Sequence, residues 1–136
     1  MNHKINKINR LKGAISEAEF IVQAMKRKFK VSKPFSEDCR YDFIVDSGKN
    51  LTKVQVKSCS ASTNRGYSRV ELRRKRNKVA KYYTKKDIDI FAIHVVEKNI
   101  WYLVPVENIP KNGVIHMSDN GKYEVFRNNW RGIKNG

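Results

Sequence analysis

Apolar and polar positions alternate twice between residues 41 and 57. Tyr41-Asp42-Phe43-Ile44-Val45-Asp46 runs into Ser47-Gly48-Lys49-Asn50, and Leu51-Thr52-Lys53-Val54-Gln55-Val56-Lys57 alternates back out. Such alternation marks strands whose two faces differ. A two-residue loop at Gly48-Lys49, with glycine first, suits a type II′ hairpin turn. That turn pairs Asp46 with Leu51 and sets Asp42 opposite Gln55. Asp42, Ile44, Lys53, Gln55 and Lys57 then share one face, and Tyr41, Phe43, Val45, Val54 and Val56 the other, apolar one. Upstream, residues 9–30 repeat with a helical period. At about 100° per residue, Gly13, Glu17, Ile21 and Ala24 form a stripe flanked by Ala14, Phe20 and Met25. A glutamate inside a buried stripe is costly unless something pairs with it. A metal site beneath the helix, an ion pair with Lys53 or Lys57, or a helix rotated so that Glu17 lies at the edge would each meet that cost.

The second half reads as further sheet. Ile88 to Val96 is a largely apolar run, Glu97-Lys98-Asn99 a turn, and Ile100 to Val106 the return, with Pro105 marking an edge or a strand end. Gly113 to Met117 and Lys122 to Phe126 suggest another short pair around Asp119-Asn120-Gly121. Residues 1–8 and 127–136 are polar and read as frayed ends. The expected fold class is α/β: a mixed central β-sheet with the N-terminal helix packed on it. The length of 136 residues, 40% of them hydrophobic, fits one domain spanning 1–136.

Charge adds a partner. The chain carries 29 Lys+Arg against 13 Asp+Glu, a net +16, which points to a polyanion. The charge clusters between Arg65 and Lys86, where Arg69, Arg73, Arg74, Arg76, Lys78 and Lys81 interleave with Tyr67, Tyr82 and Tyr83, and Glu71 is the only acid. Tyr67, Arg69, Glu71 and Arg73 alternate with Val70 and Leu72, as on a strand presenting side chains to a groove. Tyr67, Arg69, Arg73, Arg74, Arg76, Lys78 and Lys81 are the candidate nucleic-acid contacts, with Arg73 reaching phosphate and Arg69 reading base edges. A solvated basic face would show the same cluster, and basic clusters alone do not separate DNA from RNA. No long apolar amphipathic face accompanies the charge to suggest a membrane.

Asp42, Gln55 and Lys57 bring an acid, a side-chain carbonyl and an amine onto one hairpin face. That set suits holding a divalent cation and placing a phosphate beside it. The order Glu17, Asp42, then Gln55-Val56-Lys57, carried helix–strand–strand, resembles the PD-(D/E)XK nuclease superfamily. The words Lys12-Gly13, Pro34, Arg40-Tyr41-Asp42-Phe43, Val54-Gln55-Val56-Lys57-Ser58, Leu72-Arg73, Asp87-Ile88-Asp89-Ile90-Phe91-Ala92-Ile93 and Tyr102-Leu103-Val104-Pro105 are similar to those of its group I intron homing endonucleases. The resemblance covers roughly residues 11–110. It implies a restriction-endonuclease-like core and Mg²⁺-dependent hydrolysis of double-stranded DNA. It also implies catalytic Glu17, Asp42, Gln55 and Lys57, with Glu17, Asp42, Gln55 and the Val56 carbonyl as metal ligands. Two departures stand out. Tyr41 precedes Asp42 where the superfamily has proline, and Gln55 replaces an acid, as it also does in the resembling group. A glutamine oxygen ligates a hard cation but contributes no charge.

One such site cuts one strand, so a homo-oligomer, dimer or tetramer, is the economical arrangement for a double-strand cut. A junction-resolving or repair nuclease of the same fold, and a non-enzymatic basic nucleic-acid-binding protein, are the competing readings. Glu17, Asp42 and Lys57 together argue against the latter. Met1-Asn2-His3-Lys4 lacks the apolar core of a signal peptide, and the expected location is cytoplasmic. Cys39 and Cys59 have no metal-ligand spacing and read as thiols. His3, His94 and His116 read as surface or strand histidines.

Overall fold

The N-terminal helix is longer at its start and shorter at its end than its periodicity predicts. The computed structural model describes residues 3–61, 67–76 and 79–134; for 74–76, 79, 80 and 134 it describes the main chain. Helix α1 spans His3–Lys26. It stops because Lys28 takes a left-handed conformation, φ +66°. The Phe29 N–H then reaches back to Ala24 O at 3.1 Å and the Lys28 N–H to Met25 O at 2.9 Å. This pair of bonds is a Schellman cap, and the buried Phe29 beside Ala24 supplies its hydrophobic contact.

Five strands follow in one sheet, in the order β1 (Lys30–Ser32), β2 (Phe43–Asp46), β3 (Leu51–Cys59), β7 (Ile90–Val95), β8 (Ile100–Pro105). Only β3 and β7 run parallel; the other neighbours are antiparallel. The hairpin turn is the expected one. Gly48 has φ +87°, and Ser47 N–H bonds Asn50 O at 3.0 Å. The observed pairs Asp46–Leu51 through Phe43–Val54 match the expected register. Every residue of β7 is buried, because both faces of the sheet are covered; this explains its unbroken apolar run. β8 forms one edge of the sheet and ends at Pro105, as anticipated.

One face of the sheet packs under α1, where Phe20, Ala24, Phe43, Val45, Val54, Val56, Trp101 and Leu103 form a core. Phe20 stacks on Phe43 with ring centroids 5.7 Å apart and on Trp130 at 5.6 Å. The second core holds Val70, Leu72, Phe91, Ile93, Tyr102 and Val104 on the opposite face. It is roofed by a separate ribbon of β4 (Ser68–Glu71) with β9 (Val114–Met117). This corrects the expected pairing of 113–117 with 122–126. Val70 and Ile115 need a common buried face, while 124–126 closes a 3₁₀ turn instead. A two-stranded hairpin of β5 (Arg74–Arg76) and β6 (Val79–Lys81) completes the strands. The described residues from 127 to 134 are not frayed: Trp130 and Ile133 are buried in the first core, the latter from α2 (Arg131–Lys134), and Arg27 lies over the Trp130 ring at 4.2 Å.

The helix is rotated relative to its predicted stripe. Ser16, Phe20 and Ala24 form its buried line, Glu17 is half-buried at the margin, and Met25 is exposed. A polar pin fixes that rotation. Ser16 Oγ lies 2.8 Å from Nδ1 of His94, a fully enclosed histidine of β7, whose Nε2 lies 2.9 Å from Asn99 Oδ1. With Asn99 Oδ1 as acceptor, Nε2 carries the proton and Nδ1 accepts from the Ser16 hydroxyl. The imidazole stacks on Trp101 at 4.3 Å. Ser16→Ala leaves Nδ1 buried without a donor and is expected to cost about 1–3 kcal/mol of stability in denaturant titration. An unchanged midpoint would show that the pin contributes nothing.

Candidate active site

The site lies where the ladder between β2 and β3 gives out. Pairing ends at Phe43–Val54, and the Asp42 N–H bonds Val54 O at 2.9 Å, so the strand slips by one residue at Asp42. Asp42 therefore does not pair directly with Gln55, as regular alternation predicts. Its Oδ2 instead accepts the Val56 N–H at 2.9 Å. The slip re-aims the carboxylate at the open edge of β3, the usual effect of an extra residue in a strand. In an extended strand the N–H and C=O of one residue point to the same side. The Val56 carbonyl thus faces the side that Asp42 occupies.

The remaining alternation is as the sequence predicts. Phe43, Val45, Val54 and Val56 are buried, while Ile44, Lys53, Gln55 and Lys57, alternating with them, are half-buried, as is Asp42 at the slip. Glu17 on α1 and Asp42 lie close enough to act on one another. Burial holds the Glu17 carboxyl above its ordinary range, the Asp42 charge adds to the shift, and Lys33 opposes it. Burial also raises Asp42, against the Val56 N–H, Lys57 and Lys33, which favour its charge. The structure so brings together Glu17, Asp42, Val56 and Lys57, with Gln55 just before Val56 on β3. Lys33, just beyond β1, acts on both carboxylates and was not singled out from sequence. The signal available was the short Lys30-Val31-Ser32 stretch ahead of Pro34, which helical periodicity had partly absorbed.

Among the described residues no three His, Cys, Asp or Glu side chains cluster as metal ligands. The donors at this edge are two carboxylates, an amide oxygen and a main-chain carbonyl. That all-oxygen set fits a hard divalent cation. Two carboxylates held above their ordinary range beside each other are a pair that such a cation would relieve.

Lys57 connects this edge to the basic region. Its Nζ lies 5.8 Å from the Tyr83 ring centre, and the Arg40 guanidinium sits over the same ring at 4.2 Å. Lys57, Lys12, Ser60 and Arg69 line one open cleft of about 410 Å³. Arg69 is about half exposed, 4.0 Å from Glu71. Arg73 is held by Glu71 at 2.6 Å, and Tyr67 meets His116 edge-on at 4.7 Å. Lys81 is exposed at the end of β6. Lys78 lies outside the described residues, as do the side chains of Arg74 and Arg76.

Asp87 and Asp89, prominent in the sequence words, brace the frame. Asp87 takes Arg40 Nη1 at 2.8 Å and the Thr84 N–H at 2.8 Å. Asp89 takes the Lys53 N–H at 2.8 Å. The cysteines are free thiols, and burial, with Glu97 nearby, pushes Cys59 up to about 11. No described helix is long and apolar enough to cross a membrane.

Comparison with known proteins agrees with this geometry. No curated protein sequence matches the chain significantly. Among solved structures, a bacterial homing endonuclease, I-Ssp6803I, superposes with a TM-score of 0.81 at 29% identity, over 93% of each chain. The family model described as PD-(D/E)XK endonuclease matches residues 8–125. With the model spanning most of the chain and the fold shared along almost its whole length, the chain is a member of the PD-(D/E)XK endonuclease family.

Proposed function

We propose that residues 1–136 form one Mg²⁺-dependent nuclease domain that cuts double-stranded DNA at specific sites, in the manner of a homing endonuclease. One observation carries the reading. Asp42, re-aimed by the strand slip and bonded to the Val56 N–H, shares its edge with Glu17 and Lys57. Glu17, Asp42, Gln55 and the Val56 carbonyl would hold the cation. Bound there, it would polarise the scissile phosphate and acidify a water. Lys57 would orient the attacking water, and its ammonium would stabilise the negative charge that develops on the phosphate. The Val56 N–H fixes the carboxylate plane of Asp42. Gln55 supplies oxygen without charge, which leaves the site less anionic toward a phosphate. Arg69, in one cleft with Lys57, extends a cationic path from the site, and Lys81, Arg73, Tyr67, Arg74, Arg76 and Lys78 belong to the same contact region. Similarity to a homing endonuclease supports site specificity over junction resolution.

The test is cleavage of a random-sequence plasmid library beside a four-way junction, with Mg²⁺ and with EDTA. Mg²⁺-dependent cuts at a restricted set of sequences are expected. Preferential cutting of the junction would overturn the homing reading, and cleavage in EDTA the metal-dependent one. Gln55→Glu is expected to retain cleavage with altered metal preference, and Gln55→Leu to lose it. An active Gln55→Leu enzyme would show Gln55 to be structural.

A further inference from the structure

Two cations share the ring of Tyr83. The Arg40 guanidinium lies over it at 4.2 Å and the Lys57 ammonium at 5.8 Å, both within the ~6 Å reach of a cation–π contact. Arg40 is the fixed one. Its Nη1 donates to Asp87 Oδ2 at 2.8 Å and to Tyr82 O at 3.0 Å. Asp87 is itself held by the Thr84 N–H at 2.8 Å. Arg40 Nη2 is enclosed with no hydrogen-bond acceptor among the described residues, and the ring face is the partner left to it. Tyr83 in turn meets Phe91 edge-on, with centroids 5.1 Å apart, so one edge of the ring is seated in the second core. Ring, guanidinium and Asp87 form one braced block, and Arg40 stands two residues before Asp42.

Lys57 has the opposite character. Its ammonium ends a flexible four-carbon stem. The stem lines an open cleft of about 410 Å³ beside Lys12 and Arg69, whose like charges repel it. β3 fixes only where that stem begins. We propose that Tyr83, locked by Arg40, is a positioning residue for Lys57, its ring face restraining the ammonium in the orientation that serves cleavage. The proposal rests on Lys57 acting at the scissile phosphate. Asp87 neutralises Arg40, so the ring can hold a second cation without strong repulsion from the first. Tyr83 follows Lys81, the last residue of β6, by two positions, so the restraint reaches Lys57 from the segment that carries the basic ribbon. Plain packing is the competing account of Tyr83. Its edge on Phe91 would need only an apolar side chain, and leucine would then replace it at the active site without loss.

The contact is tested first without cleavage. Reductive methylation with isotope-labelled formaldehyde marks the lysines for NMR and keeps their charge. The Lys57 methyl resonance, identified by its absence in Lys57→Arg, is expected upfield of solvent-exposed lysines through the ring current. The displacement is expected to vanish in Tyr83→Leu and to persist in Tyr83→Phe. Cleavage is then measured on a duplex carrying a sequence recovered from the plasmid library. Tyr83→Leu is expected to lower the single-turnover rate at saturating protein about tenfold, with DNA affinity and Mg²⁺-induced stabilisation unchanged. Tyr83→Phe is expected to restore the rate, because the ring and not the hydroxyl makes the contact. In a Lys57→Ala background the leucine is expected to cost nothing further. Arg40→Lys leaves the ring in the core and a charge for Asp87 but loses the planar stack, and is expected to show the same split in smaller measure even where leucine disturbs the fold. A Lys57 resonance without ring-current displacement, one unmoved by Tyr83→Leu, or an equal loss from leucine with and without Lys57 would overturn the proposal. Full cleavage by Lys57→Ala with the displacement intact would place the fault in the role of Lys57 itself, and the positioning role would fall with it.

Discussion

Asp42→Asn is expected to abolish metal-dependent cleavage while leaving DNA binding largely intact. Asp42 is one of the two carboxylates proposed to hold the cation, and its placement is fixed by the Val56 N–H at 2.9 Å. Losing it removes several kcal/mol of transition-state stabilisation, about a hundredfold or more in rate. Single-turnover cleavage measures this, and a wild-type rate would sink the assignment. Stability provides a second readout. Both carboxyls are raised above their ordinary values of 3.8 for Asp42 and 4.5 for Glu17. A carboxyl raised by folding favours the folded state below its unfolded pKa and loses that contribution as pH rises through the folded value. The cation-free protein should therefore lose stability as pH climbs out of the ordinary carboxylate range. Asp42→Asn should blunt that loss and also remove the stabilisation that added Mg²⁺ gives wild type. A thermal midpoint with the same pH and Mg²⁺ response in both proteins would show that Asp42 is not at a cation site.

Lys57→Ala is expected to lower the cleavage rate by about a hundredfold to a thousandfold, as loss of a group aimed at developing charge does. Mg²⁺-induced stabilisation should survive, because the oxygen donors remain. The variant separates the ammonium from the cation: Asp42→Asn loses both cleavage and the metal response, and Lys57→Ala loses cleavage alone. Lys57 acts on Asp42 and lies near Tyr83, so Lys57→Arg keeps the charge but changes its shape and reach. Partial recovery in arginine would indicate electrostatic stabilisation, and none would indicate a precise role at the water. Full activity in Lys57→Ala would remove the residue from the mechanism.

Local pattern made much of the architecture legible. The Gly48 turn, the register from Asp46–Leu51 to Phe43–Val54, the buried run of β7 and the edge at Pro105 all follow from period-two alternation and turn chemistry, which act between near neighbours. The order of Glu17, Asp42, Gln55 and Lys57 was legible for the same reason, since each sits at a fixed offset within its own element. Helix rotation was not. Periodicity placed Glu17 in the buried stripe because α1 has apolar residues on two faces, and nothing within the helix says which is the inner one. Only Ser16 against His94, seventy-eight residues away in sequence, decides it. The strand slip at Asp42 was equally hidden, because it depends on where the partner strand's N–H groups fall. The pairing of β4 with β9, the burial of Trp130 and the reach of Lys33 to both carboxylates likewise join segments far apart in the chain. Local pattern was enough for the hairpin, the central strands and the choice of candidate side chains. The tertiary structure alone decided which face of α1 is buried and where Asp42 points, because both are set by packing and hydrogen bonds between elements that local periodicity cannot register.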